Sequence, residues 1–305
     1  GAFICFLNST FMNVALSDIM KDLNISVSTA QWLSTGYMLT TGIIIPFTAF
    51  LIDKFKNRTL FFISIGLFTI GTIIGAFATN FTMLLTARLI QGLASGIIIP
   101  LMQTVFMIIF PIEKRGFAMG IVGIVLAFAP AIGPTLSGWI INIYPWRYLF
   151  YVTLPFAILD LILGYFLLKN VTENKSVHFD IISFIGSTIG FGGLLFGFSN
   201  AGNYSWTDIN VYLPLIIGIV FLIIFVWRQL NMEEPMLNLA VFKSTVFTFA
   251  TIISMIAYAG LISSELILPM YLEDVRGSSA FDTGLTLMPG AIVMGIMNPI
   301  TGKLF

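Results

Sequence analysis

Apolar residues run for long stretches along this chain, and short polar or turn-rich breaks separate the runs. Ten runs can be placed, at about 1–20, 31–52, 59–78, 83–109, 117–140, 147–168, 181–200, 211–230, 246–271 and 284–304. A membrane-crossing helix needs about 20 apolar residues, whereas a membrane strand needs about 9–11 and alternates apolar with polar positions. The runs are too long for strands and do not alternate. The pattern therefore predicts an all-α polytopic membrane protein with ten spans in this chain.

Composition turns that pattern into an exclusion. Hydrophobic residues make up 58% of the 305, charged residues 9%, and the mean hydropathy is +1.00. A soluble domain carries about 25% charged residues, so this chain cannot cover a water-facing surface of its size. The same figures exclude disorder, a coiled coil and a collagen-like fibre. Fourteen basic residues balance fourteen acidic ones, which leaves no basic footprint for nucleic acid. One cysteine, Cys5, and one histidine, His178, exclude a disulfide framework and a Cys/His metal site. Cys5 reads as a buried small hydrophobe and His178 as a solvated loop residue. No metal or cofactor is expected. The chain opens and closes inside apolar runs, as expected of a piece of a longer protein.

Charge placement gives a direction. Alternate loops hold Lys54, Lys56, Arg58, Lys114, Arg115, Lys169, Lys175, Arg228 and Lys243, with Lys303 on the same side. The opposite loops hold only Lys21, Arg147 and Arg276. Basic residues favour the cytoplasmic side, so the first set and the N-terminus are expected inside. The longest polar stretch, Lys169 to Asp180, reads as a linker after six spans, and a second runs from Asn231 to Lys243. Glycines four apart (Gly71/Gly75, Gly92/Gly96, Gly116/Gly120, Gly186/Gly190) predict close helix packing.

Several short motifs fall at fixed places on this frame. Span 1 holds Leu7-Asn8-Ser9-Thr10-Phe11-Met12-Asn13-Val14-Ala15-Leu16. The loop after span 2 reads Leu51-Ile52-Asp53-Lys54-Phe55-Lys56-Asn57-Arg58. Span 4 holds Arg88-Leu89-Ile90-Gln91-Gly92, and the next loop runs from Phe110-Pro111 to Arg115-Gly116-Phe117-Ala118. Span 5 carries Gly133-Pro134-Thr135-Leu136-Ser137-Gly138. Trp146-Arg147 opens span 6 and Val275-Arg276-Gly277 precedes span 10. In order and spacing these resemble the LDxTxxNVALP, GxLxDRxGRR, RxxQG, FPxxxRGxA and GPxxGG motifs of the major facilitator superfamily, in its fourteen-span drug:proton antiporter branch. The resemblance runs over essentially all of the chain. It departs at Asn8, where an acid is expected, at Ala49 and Lys56 in place of glycines, and at Ser17 in place of proline. The resemblance implies a six-helix N-terminal domain (1–168), a linker with spans 7 and 8 (169–244), and the start of a C-terminal domain (245–305). It also implies gating roles for Asp53, Arg58, Arg115, Gly133, Pro134 and Gly138.

The residues themselves nominate a site. An arginine inside a span costs about 2.5–3.5 kcal/mol on insertion scales and normally faces a partner or water. Arg88 is such a residue, with Gln91 on the same helix face three positions on. By depth along upright helices, Asn13 is the expected partner of Arg88, with Asn8 lying roughly 18 Å down and nearer the midplane. Asp160, near the middle of span 6, can bind a proton reversibly because an acid in apolar surroundings favours its neutral form. Asn8 cannot titrate, so Asp160 is the first candidate for proton coupling, with Glu265 in span 9 second and Arg88 part of the same proton-sensing set. Tyr37, Met107 and Tyr258 join Asn8, Asn13 and Gln91 as candidate cavity-lining residues. The expected function is export of lipophilic small molecules by a proton-driven antiporter in a bacterial cell membrane, with the proton gradient as energy source and protons and membrane lipid as partners. A carrier of one native solute or lipid-like compound on the same scaffold is the alternative. A membrane enzyme is disfavoured: GxSxG, HExxH and the ATP-binding GxxxxGK[ST] sequence are all lacking.

Overall fold

The computed structural model describes the backbone at residues 1–172, 179–233, 235–278 and 280–304. Side chains at 127, 130–131, 262, 265–266, 269–270, 273–274, 280–281, 291, 299 and 302–304 are outside that description. His178 and the side chain of Glu265 therefore lie outside the described residues.

Ten long helices coincide with the ten apolar runs. They are α1 (Ala2–Leu23), α2 (Val27–Lys54), α3 (Asn57–Ala76), α4 (Phe81–Ile109), α5 (Arg115–Ile143), α6 (Tyr148–Leu167), α7 (Ile181–Ala201), α8 (Ile209–Asn231), α9 (Thr245–Met270) and α10 (Ala280–Leu304). Helices α1–α4 and α6–α8 are long and apolar enough, by length and composition, to cross a membrane. Short polar side chains set several starts. Ser26, Asn80, Asp180 and Asp208 each accept a backbone N–H from the first turn of α2, α4, α7 and α8, which satisfies donors the helix leaves open. Asn24 closes α1 in the left-handed region, at φ 49°. Pro46, Pro100, Pro155 and Pro214 sit within helices, which neighbouring helices in a membrane bundle tolerate.

Lipid offers helices no hydrophobic reason to associate, so close backbone approach has to hold them together. Glycine provides it here. A Cβ on Gly92 would lie 2.7 Å from the Tyr37 carbonyl, and one on Gly96 2.8 Å from Ile44, so α4 lies directly on α2. Thr41 and Thr48 of α2 donate hydrogen bonds to the Gly92 and Gly96 carbonyls at 3.2 and 2.8 Å. Gly71 brings α3 onto Gln91 of α4, and Gly75 receives the Phe150 ring of α6. Gly133 of α5 packs on Thr10 of α1. Gly190, Gly193 and Gly218 bring α7 and α8 together, and Gly284 and Gly295 set α10 against Thr135 and Phe128 of α5. Helix α9 is exposed along most of its described length.

Polar clips close the helix ends. Asn57, buried at the start of α3, donates to the Lys169 carbonyl (2.9 Å) and accepts from the Val171 amide (2.9 Å), which pins the chain leaving α6. Arg58 adds a bond to the Tyr165 carbonyl at 2.8 Å. At the other end, Arg147 joins Asp22 (2.7 Å) and the Ala78 carbonyl (2.8 Å), tying α1, the α3–α4 turn and α6. The α7–α8 hairpin has its own clasp. Arg228 grips both oxygens of Asp180, at 2.7 and 2.9 Å. Gln229 donates to Ser183 (2.6 Å) and accepts from the Leu237 amide (2.9 Å). The hairpin lies along α2 through Trp32–Phe196 and Phe47–Phe184 ring contacts, 5.4 and 4.8 Å between centroids.

The Arg228 guanidinium, helped by Ser183 and the Ile182 amide, pulls the Asp180 carboxyl down from 3.8 to about 2. A depressed folded value means the clasp stabilises fully above the ordinary carboxylate range and is lost as pH falls through about 2. The α7–α8 clasp should therefore persist at pH 4 and open between pH 4 and 2, read by hydrogen exchange at the Leu237 amide, an opening already present at neutral pH in Asp180→Asn. Gly92→Val should abolish folded yield, since its Cβ meets backbone. Gly66→Ala should leave yield unchanged, because nothing lies within 4 Å of a Cβ there; size-exclusion chromatography of the detergent-purified protein separates the two.

Candidate functional site

The packing of α1, α2, α3 and α4 buries Arg88 completely. Its Nη1 donates to Asn8 Oδ1 at 2.7 Å and to Gln91 Oε1 at 2.8 Å. Its Nε donates to the Leu33 carbonyl at 3.3 Å, and the guanidinium lies 4.2 Å from the centre of the Tyr37 ring. Cation–π contact and charge-assisted bonds to neutral acceptors replace an ion pair. The groups that hold Arg88 are themselves held. Thr72 donates to the Phe68 carbonyl (2.7 Å) and accepts from Gln91 Nε2 (3.0 Å), which turns the Gln91 carbonyl oxygen toward Arg88. Tyr37 donates to Ser95 at 2.6 Å. Asn8, Tyr37, Gln91 and Ser95 are all buried.

The partner of Arg88 is thus Asn8, not Asn13. Asn13 instead accepts from Ser34 Oγ at 2.8 Å, on the more exposed part of the α1–α2 contact. Depth does not separate the two asparagines, and helix face does: Asn13 lies five residues, about 140°, around α1 from Asn8 and is exposed, whereas Asn8 is buried. Gly1 lies against Ile98 and Cys5 against Ser95. That register places Asn8 about level with Gln91, one helical turn from Arg88, a gap of about 5 Å that the arginine side chain spans.

Asp160 is separate from this cluster. Its Oδ2 lies 2.6 Å from the Gly1 nitrogen, and its side chain is 20% exposed. Cys5, fully buried, lies within electrostatic range of both Asp160 and Arg88. Tyr258 of α9 is exposed and close enough to Tyr37 to interact with it electrostatically. Met107 is partly exposed towards the end of α4. Asp53 closes α2, partly buried. Arg58 binds the end of α6 and lies over the Tyr165 and Phe62 rings. Arg115 starts α5 with a buried Nε. Gly133, Pro134 and Gly138 sit in one continuous helix, where Ser137 donates to the Pro134 carbonyl at 3.1 Å and Gly138 is buried. Thr72, Ser95 and the Leu33 carbonyl belong to the site without any sequence signal. A threonine or serine in an apolar span reads as a helix residue bonded to its own backbone.

Gln91→Leu should remove one acceptor from Arg88 and orphan the Thr72 lone pair. A cost of about 1.5–3 kcal/mol is expected for a bond to a charged group, seen as a lower thermal unfolding midpoint of the purified protein. Thr72→Val should lower it by less.

Comparison with known proteins agrees with this architecture. The Major Facilitator Superfamily profile matches residues 1–305. The "Uncharacterized MFS-type transporter YcnB" of Bacillus subtilis (strain 168) is 54% identical over 305 residues, covering 100% of this chain and 65% of that protein. The "Lincomycin resistance protein LmrB" of the same organism is 46% identical over 307 residues, covering 100% of this chain and 64% of its own length. The "Probable multidrug resistance protein EmrY" of Escherichia coli (strain K12) is 29% identical, covering 99% and 60%. The chain thus spans a little under two thirds of each of these relatives. Among solved structures, the proton:xylose symporter XylE matches with a TM-score of 0.62 at 14% identity, covering 100% of this chain and 66% of that one. The human organic anion transporter MFSD10 matches at 0.60 and 13% identity, covering 99% and 71%. At such identities the structures speak for the fold. With the profile spanning every residue and the helical bundle described above, the chain belongs to the Major Facilitator Superfamily, a family of membrane transporters and not of enzymes.

Proposed function

We propose that the protein is a proton-coupled secondary transporter that exports lipophilic small molecules from the bacterial cell by alternating access. The observation that carries this is the buried Arg88. A charge buried in a span is costly and rare and marks substrate or ion pathways, so an arginine buried among α1, α2, α3 and α4 supports a working site there. Arg88, Gln91 and Asn8 occupy the places where the drug-exporter motifs put their polar residues, and the relatives include proteins named for lincomycin and multidrug resistance. In this reading Tyr37 and Tyr258 line the substrate path, with Asn13 and Met107 further along it. Asp160 is the proton-bearing group, with Glu265 second. Asp53, Arg58 and Arg115 act at the cytoplasmic ends of the helices, and Gly133, Pro134 and Gly138 form the thin seam between α5 and its neighbours. A membrane potential of 100 mV supplies about 2.3 kcal/mol per charge moved. The single-drug name of LmrB favours a second reading, a carrier with one narrow substrate.

The test is reconstitution of the full-length protein in vesicles with an imposed proton gradient. Drug-dependent proton movement is expected in the wild type and should fall at least tenfold in Asp160→Asn. Full antiport in that variant would move the proton to another acid. A panel of dyes, lincosamides and lipids offered to the same vesicles separates broad export from a single substrate.

A further inference from the structure

The Arg88 cluster holds more donors than acceptors. A guanidinium carries five N–H groups. Nε is used on Leu33, and both hydrogens of Nη1 are used on Asn8 and Gln91. Nη2 is buried without a hydrogen-bond partner among the described residues, and so is Asn8 Nδ2. Neither amide can turn to correct this. Thr72 fixes Gln91, because its hydroxyl is spent on the Phe68 carbonyl and only its lone pair faces Gln91 Nε2. Turning Asn8 over would set its Nδ2 against Nη1, donor against donor. Four N–H hydrogens are thus left over, two on each of two residues already joined by a 2.7 Å bond. They surround a charge whose electrostatic neighbours include Tyr37 and Cys5, both neutral at physiological pH. An unsatisfied buried polar group costs about 1–3 kcal/mol, more when charged.

The missing component is an acceptor. A water can accept from these donors, but it adds two donor hydrogens of its own and leaves the charge uncompensated. An anion brings lone pairs and the opposite charge together. We propose that Arg88 Nη2 and Asn8 Nδ2 form a receptor for one small anionic acceptor, either a halide ion or a carboxylate oxygen of a transported molecule. The second source rests on the transport reading above; the first does not. An aspartate at position 8 would occupy this receptor itself, closing a two-pronged ion pair with Arg88.

The experiment measures thermal unfolding of the purified full-length protein at fixed ionic strength and pH in sodium chloride, bromide, benzoate or isethionate, the last as a bulky reference. Binding to the folded state raises the midpoint as anion concentration rises. A rise of several degrees over isethionate is expected in wild type, lost in Asn8→Asp, whose carboxylate fills the receptor, and lost in Asn8→Leu, which lacks the Nδ2 donors. A rise with halides alone assigns the receptor to an inorganic ion, and a rise with benzoate alone assigns it to a substrate carboxylate. Equal wild-type midpoints in all four salts, or a rise of the same size in both variants, overturns the proposal. If Asn8→Asp does not fold, Asn8→Leu and the wild-type series decide. No proton or drug moves in this assay, so its failure and a failure of transport are separate results.

Discussion

The interior of this protein is organised around a positive charge held by neutral groups. Arg88 sits where hydrocarbon would reject it, and four such groups hold it in place: an amide from α1, a carbonyl and an aromatic face from α2, and an amide from its own helix. The amide of Gln91 is fixed from behind by Thr72, and the Tyr37 ring by Ser95. The register of α1 against α4, and of both against α2 and α3, follows from this constraint. A one-residue slip of any of them would leave the buried guanidinium with fewer acceptors, a loss that burial makes costly.

Glycine makes that geometry reachable. An Arg side chain can be held from neighbouring helices only if their backbones come close. Gly71 and Gly92 provide the approach within one turn of Gln91, and Gly96 extends it towards the far end of α4. The same device recurs where α7 meets α8 and where α5 meets α10. The outward faces of α6 and α8 carry bare Leu, Ile and Phe, which suits contact with lipid and leaves the polar side chains to do the positioning.

The spans were legible because hydrocarbon thickness sets one length scale and composition reports it. All ten helices lie within a few residues of the runs read from hydropathy. Arg88 and Gln91 were legible because a charge and an amide on one face of an apolar helix must find polar partners inside the bundle. The choice between Asn8 and Asn13 was not, since it depends on which face of α1 turns to α4: Asn8 is buried there, while Asn13 is turned to Ser34 of α2. Residue counting gives depth along a helix and says nothing of which neighbour each face meets. Thr72 and Asn57 were also illegible. A threonine inside a span and an asparagine at a turn are ordinary residues until a partner 19 positions away, or over 110, comes into contact.

Helix α2 is a two-sided beam. One side is bonded to α4 through the Thr41 and Thr48 hydroxyls, and the other carries Trp32 and Phe47, on which the α7–α8 hairpin rests. The hairpin is therefore seated on the first helices through α2. Its clasp reaches as far as Leu237, where Gln229 holds the amide of the outgoing chain. The chain from Leu237 to Thr245 is one link from there to α9, and the seating of α10 on α5 at Gly284 and Gly295 is another, so the later helices are tied to the first six by a strap and a seam together.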